Sequence, residues 1–201
     1  DVTLNELRTQ GYQAFYLAIG AQSGRKLGID GEDEKGVITG VEFLRNVNLD
    51  ESSKLEGTTI VIGGGNVAID VARTAVRAGS SDVSMFCLES RSEMPALDEE
   101  IDEALSEGIS INNSWGPKRV LTEQGRVTGV EFKKCVQVFD ENRRFSPKFD
   151  ESQTMIAHAD NVLISVGQGI EWGNLIADSK IELKANRTIK ADPTTYQTAE
   201  P

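Results

Sequence analysis

With 201 residues the chain is long enough for one full domain, or for one domain with pieces of a neighbour, and a sizeable core is available. A formal net charge of −11 repels a polyanion and argues against nucleic acid as a partner, and no apolar run is long enough to span a bilayer, which argues against a membrane role. The two cysteines, Cys87 and Cys135, form no C-x-x-C pair and read as small buried hydrophobes rather than ligands.

The opening residues have neither a basic start nor an apolar stretch, so no secretory leader is expected. Without an initiator methionine the chain reads as starting inside a longer, cytoplasmic polypeptide. Leu4, Leu7 and Arg8 give a short helical pattern, Gly11 a turn, and the apolar residues 14–19 a buried strand that stops at Gly20. Gly24, Gly28, Gly31 and Gly36 lie among charges and read as a loop. A short helix with Val41, Leu44 and Val47 on one side follows, and the polar, acidic residues 48–57 read as a linker.

From Thr58 the pattern becomes strand, Gly-rich turn, helix and strand, which is the signature of a βαβ unit in a parallel sheet. The strands are placed at 59–62 and 83–88, with the helix at 66–78 between them. Its Val67, Val71 and Ala75 are expected to face the sheet, and Gly79 to close it in a left-handed cap. Pro95 suits the first turn of a further helix over 96–107, where Leu97, Ile101 and Leu105 recur every fourth residue among acidic neighbours. No histidine accompanies those carboxylates, so they read as a solvated face and not as a metal site. Beyond Gly108 comes a strand at 109–111. Alternating stretches around Val120, over 127–139 and over 148–158, with a turn at Gln124 and Gly125, then read as an antiparallel meander inserted before the next parallel strand at 161–166. The expected fold class is therefore α/β: a three-layer, Rossmann-like fold of the FAD/NAD(P)-binding type, with a parallel sheet plus an antiparallel β-meander.

Gly63, Gly64, Gly65, Asn66, Val67 and Ala68 fit G-x-G-x-x-A directly after a strand and directly before a helix. Gly63 permits the sharp turn, Gly65 lets a pyrophosphate approach the backbone, and Ala68 lets the helix pack closely on the strand. The open end of the helix then offers N–H groups and a positive dipole to the phosphates. The alternative is a Gly-rich structural turn. Glu89 ends the second strand about 20 positions beyond the glycines, where an acidic residue accepts from the adenosine ribose. Its carboxylate would repel a 2′-phosphate, so NAD(H) is favoured over NADP(H). Arg91 complicates this, since a guanidinium there can pair with a phosphate, and Glu89 also reads as an ordinary loop charge. Gly167 and Gln168 end a strand at the carboxyl edge of the sheet, where a nicotinamide would sit, or where a strand simply stops. His158, the sole histidine, reads as a surface residue, and no catalytic nucleophile or general base is expected.

The runs GGGNVAIDVARTAVRAG, SRSEMPALDEEIDEALSEGI, GRVTGVEF and NVLISVGQ together resemble the small (beta) chain of glutamate synthase and related NAD(P)H:flavin oxidoreductases of the pyridine nucleotide-disulfide oxidoreductase superfamily. The resemblance implies a nicotinamide domain inserted within a flavin domain, with hydride passing from NAD(P)H to FAD and electrons leaving through an iron–sulfur or large-subunit acceptor. It implies the segmentation 1–37 as a remnant of the FAD domain and its crossover, 38–57 as a linker helix, 58–170 as the NAD(P)-binding domain, and 171–201 as a return segment. Residues 15–21 then resemble the exit from the flavin domain and residues 189–195 the return to it. The family's flavin fingerprint, its closing Gly-Asp motif and its cluster cysteines have no counterpart in the sequence, so FAD is expected in the parent protein and not on these residues alone. NADPH-using members resemble R-R where this chain has Leu88 and Glu89, which again points to NADH. The rival expectation is a non-catalytic docking or regulatory module that keeps a dinucleotide-binding fold.

Overall fold

A computed structural model describes residues 2–50 and 54–200; residues 51–53 of the expected linker and Pro201 of the tail lie outside the described residues. The chain forms two compact units, Gly24–Gly167 and the paired segments Asp1–Ser23 and Gln168–Pro201. It passes between them at the two-residue strands β1 (Ser23–Gly24) and β10 (Gln168–Gly169).

In the larger unit, β2 (Val37–Thr39), β3 (Thr58–Ile62), β4 (Asp82–Cys87), β5 (Ser110–Asn113) and β9 (Asn161–Ile164) make a parallel sheet in the order β2-β9-β3-β4-β5. Neighbouring residues of a strand point to opposite faces, and the central strands β3 and β9 are covered on both, which is why each reads as a mostly apolar run. Val61, Val83, Met85 and Leu163 pack with α2 (Gly40–Leu49), α3 (Asn66–Arg77) and α4 (Asp98–Ser106). Ile60, Ile62, Phe86, Val162 and Ile164 face the other way. They meet Val120, Val130 and Phe132 of an antiparallel meander built from β6 (Trp115–Glu123), β7 (Arg126–Phe139) and β8 (Phe145–His158). Helices, parallel sheet and meander are thus three layers. Phe86 and Phe132 stack across the second interface with ring centroids 4.1 Å apart and planes 12° from parallel. Each such fully buried side chain contributes about 1.5–3 kcal/mol of burial. Residues 37–49, expected to divide between a crossover and a linker helix, supply β2 and α2 of this unit.

Helix α3 ends as its Gly79 predicts: at φ 102°, Gly79 donates to Val76 O at 3.1 Å and Ser80 to Ala75 O at 3.1 Å, closing a left-handed cap. Four other expectations need correction. Val67 is 37% exposed, and the helix buries Ala68, Ile69, Val71, Ala72 and Ala75 instead. Spacing of four residues overshoots a 3.6-residue turn, so the stripe drifts around the helix and its first member leaves the core. The helix expected from Pro95 begins at Asp98, preceded by a 3-10 turn at Arg91–Glu93. The intervening N–H groups are committed elsewhere: Ala96 N donates to Gly64 O at 3.2 Å and Leu97 N to the Asn66 side-chain oxygen at 2.9 Å. Leu97 and Leu105 are exposed, and Ile101 with Ala104 fills the core. Residues 12–22 hold no strand, because none of the described residues supplies a neighbouring one; Tyr16 is 94% exposed.

The smaller unit starts with α1 (Leu4–Thr9), whose capping box pairs Thr3 and Glu6 reciprocally. It buries Leu4 and Trp172, and the indole N–H of Trp172 donates to Arg187 O at 2.9 Å.

Candidate functional site

At the carboxyl end of β3 the three glycines meet three different surroundings. Gly63 has φ 145°, and a Cβ there would collide with the Ser165 carbonyl oxygen. The protein itself therefore demands this glycine: Ser165 N donates to Ile62 O at 2.7 Å, drawing the end of β9 against the turn. Gly64 is buried, and a Cβ on it would lie 2.9 Å from the Glu89 Oε2 and 3.0 Å from the Cys87 Cβ. Gly65 is the N-cap of α3 at φ −94° and ψ 174°, a conformation open to any residue, with no side-chain cap. A Cβ on it would have only Pro95 Cγ in reach, at 3.9 Å. Neither strain nor crowding inside the protein accounts for Gly65. Beyond it Asn66 and Val67 are exposed, and the first-turn N–H groups of a helix lack partners within the helix, while its dipole favours negative charge. Ala68 is fully buried behind Gly63, as close helix–strand packing requires.

Glu89 stands beside this corner just past the end of β4. Its carbonyl accepts from Ser114 N at 3.0 Å and from the Asn113 side-chain amide at 3.2 Å. Asn113 also donates to Cys87 Sγ at 3.2 Å. Burial first, then the charge of Glu89, pushes the Cys87 thiol up to about 11, so it stays protonated at neutral pH. Cys87 and Cys135 are both buried, as expected of small hydrophobes. Arg91 is directed to α4, bonding Asp98 at 2.9 Å with Asp102 at 3.9 Å. The Asn66 side-chain oxygen accepts from Leu97 N at 2.9 Å. Gly167 is exposed at φ 111°, and its carbonyl accepts from Arg25 N at 3.0 Å. Gln168 belongs to the other unit, in β10. Among the described residues no cluster of His, Cys, Asp and Glu could hold a metal ion. Nor is any helix among them long and apolar enough to cross a membrane.

The structure adds residues that spacing did not reveal. Asn113 lies in a polar strand end with no motif around it. Ser165, whose buried hydroxyl has no hydrogen-bond partner, sits against the start of α2 and next to Gly63. Both are brought to the turn by strand neighbours distant in sequence.

A parallel sheet with helices on one face, a meander on the other and a glycine corner at its carboxyl edge defines a Rossmann-like FAD/NAD(P)-binding fold. The family model described as pyridine nucleotide-disulphide oxidoreductase matches residues 1–201, and the chain belongs to that family. It is 36% identical over 208 residues to the NADP(+)-dependent formate dehydrogenase subunit beta of Moorella thermoacetica, covering 100% of this chain and 29% of that protein. Against the NADPH-Fe(3+) oxidoreductase subunit beta of Geobacter sulfurreducens the identity is 35% over 176 residues, 84% of this chain and 26% of that one. The chain thus spans less than a third of the curated relatives it matches. Among solved structures, Lactococcus lactis thioredoxin reductase superposes with TM-score 0.68 at 20% identity, covering 90% of this chain and 52% of that one. Mycobacterium tuberculosis FprA in complex with NADPH gives 0.64 at 19% identity, over 77% and 50%. Both likenesses concern the fold.

Proposed function

We propose that the unit Gly24–Gly167 binds a nicotinamide dinucleotide and presents it to a flavin held by residues outside that unit. The observation that carries this reading is Gly65: a residue without a side chain, at the open end of a helix, where the protein gives no reason for one to be missing. A pyrophosphate supplies the reason, since its oxygens need the backbone itself. Gly63 holds the turn, Ala68 sets the helix close, and the N–H groups of Asn66 and Val67 are the donors. The Asn66 side chain, tied to Leu97, fixes the first turn of α3 in place.

Glu89 would accept from the adenosine ribose, and its carboxylate beside Gly64 disfavours a 2′-phosphate. Arg91, bonded to Asp98, does not offset it. We therefore favour NADH. The competing reading comes from the relatives named for NADP(+) and NADPH: there Arg91 leaves Asp98 and becomes the phosphate ligand. Gly167 is proposed for the nicotinamide half, whereas Gln168, expected beside it, falls in the other compact unit and is left out of this site. When bound, the dinucleotide supplies a hydride for the flavin, and an iron–sulfur or large-subunit partner of a glutamate-synthase-like assembly takes the electrons onward. The protein provides orientation and needs no acid or base of its own.

Titration of the chain with NADH and NADPH tests the proposal. Saturable binding with NADH the tighter ligand is expected. Failure to bind either at millimolar concentration would transfer the protein to a docking or regulatory role that retains only the fold.

A further inference from the structure

The parallel ladder between β4 and β5 ends at the pair Cys87 and Asn113. Past that rung regular pairing stops, but Glu89 stays tied to the neighbouring strand. Its carbonyl collects three donors: Ser114 N at 3.0 Å, the Asn113 amide at 3.2 Å and the Cys87 thiol at 3.6 Å. Two of them come from the junction of β5 and β6, which is itself pinned. Ser114 is held at φ 64°, and its carbonyl accepts from Cys135 N at 2.9 Å. The Asn113 side chain thus reinforces the backbone bond that Ser114 makes past the last rung. The effect is to fix the residue whose carboxylate stands over Gly64.

We propose that Asn113 is a positioning residue for nucleotide choice: by holding the Glu89 carbonyl it keeps the Glu89 carboxylate at the ribose position and so sets the preference for NADH. This rests on the assignment of Glu89 to the ribose. A carboxylate confined to one place gives its full hydrogen bond to a 2′-hydroxyl and its full repulsion to a 2′-phosphate, while a mobile one gives part of each. Removing the Asn113 donor therefore narrows the difference between the two nucleotides. A residue that merely stabilised the fold would weaken both alike.

The neighbouring residue supplies the control. Asn112 donates to Met85 O at 3.2 Å, a bond between the same two strands that does not reach Glu89. Dissociation constants for NADH and NADPH are measured on the full chain for wild type, Glu89→Ala, Asn113→Leu, the shorter, uncharged Asn113→Ser and Asn112→Leu, with urea unfolding to confirm that each is folded. Asn113→Leu and Asn113→Ser are expected to weaken NADH roughly fivefold and NADPH by less than about twofold, moving the ratio the same way as Glu89→Ala. Asn112→Leu should leave the ratio where it is. If Glu89→Ala changes the ratio but folded Asn113→Ser does not, or if Asn112→Leu changes it as much as Asn113→Leu, the role of Asn113 is overturned and Glu89 stands. If Glu89→Ala leaves the ratio unchanged, the ribose assignment itself falls and takes this inference with it.

Discussion

Gly63 and Gly65 are two positions apart, yet they answer to opposite constraints, and substitution separates them. Gly63→Ala forces a Cβ into the Ser165 carbonyl at a positive φ, and is expected to destabilise the chain by about 1–3 kcal/mol in urea unfolding. Gly65→Asp places a favoured N-cap residue where there is room, so stability should hold or rise by a few tenths of a kcal/mol. The same carboxylate faces the proposed phosphates, so dinucleotide binding should weaken by roughly tenfold or more. Stability and affinity moving in opposite directions is the mark of a residue kept for a ligand; unchanged affinity in Gly65→Asp removes the pyrophosphate from this corner. Glu89→Arg is expected to shift preference toward NADPH, read from the two dissociation constants. If the wild-type chain already prefers NADPH, Arg91 and not Glu89 governs the choice.

At the scale of elements, the strand–turn–helix at the glycines was legible because local rules suffice there: an apolar run, a turn that only glycine can make at Gly63, and a cap at Gly79. What stayed hidden depended on partners distant in sequence. Residues 14–19 have the composition of a buried strand but, among the described residues, no strand beside them, and the segment ahead of α4 is tied to Asn66 and Gly64, some 30 residues upstream by the spacing of Asn66 and Leu97. The acidic residues of α4 were expected to meet only water. Three of the acidic side chains of the segment 100–107, Glu100, Glu103 and Glu107, surround Arg73 of α3, with Glu107 at 2.8 Å. The meander holds a more confined charge: Glu131, 8% exposed, receives Lys118 at 2.8 Å and Arg119 at 2.6 Å. The hydrogen bond from Lys118, then that from Arg119, holds its carboxyl below the ordinary value of 4.5. A carboxyl with a lowered folded-state pKa contributes stability that is present above 4.5 and is lost as pH falls through the lower, folded value. Unfolding midpoints measured down the acid range should therefore decline less steeply in Glu131→Gln than in wild type. Parallel curves would mean that the ion pairs add nothing.

For the molecule as a whole, the two tryptophans fall one to each compact unit, Trp115 in Gly24–Gly167 and Trp172 in the other. Trp172→Phe leaves Trp115 as the sole indole reporter of the unit proposed to bind nucleotide. Free NADH at 100 times its dissociation constant should raise the stability reported by Trp115 by about 2.7 kcal/mol. A midpoint that ignores NADH would place binding outside that unit.

The strand order carries a further consequence for how the protein is made. The last strand of the sheet to leave the ribosome, β9, is the one inserted between β2 and β3. Until it arrives, β2 has no neighbour and β3 shows an unpaired edge, for as long as translation of the whole meander takes. The corner at Gly63 is likewise incomplete until Ser165 is drawn against it. That waiting edge is thus open for the whole interval, which is when pairing with another nascent chain is most favoured.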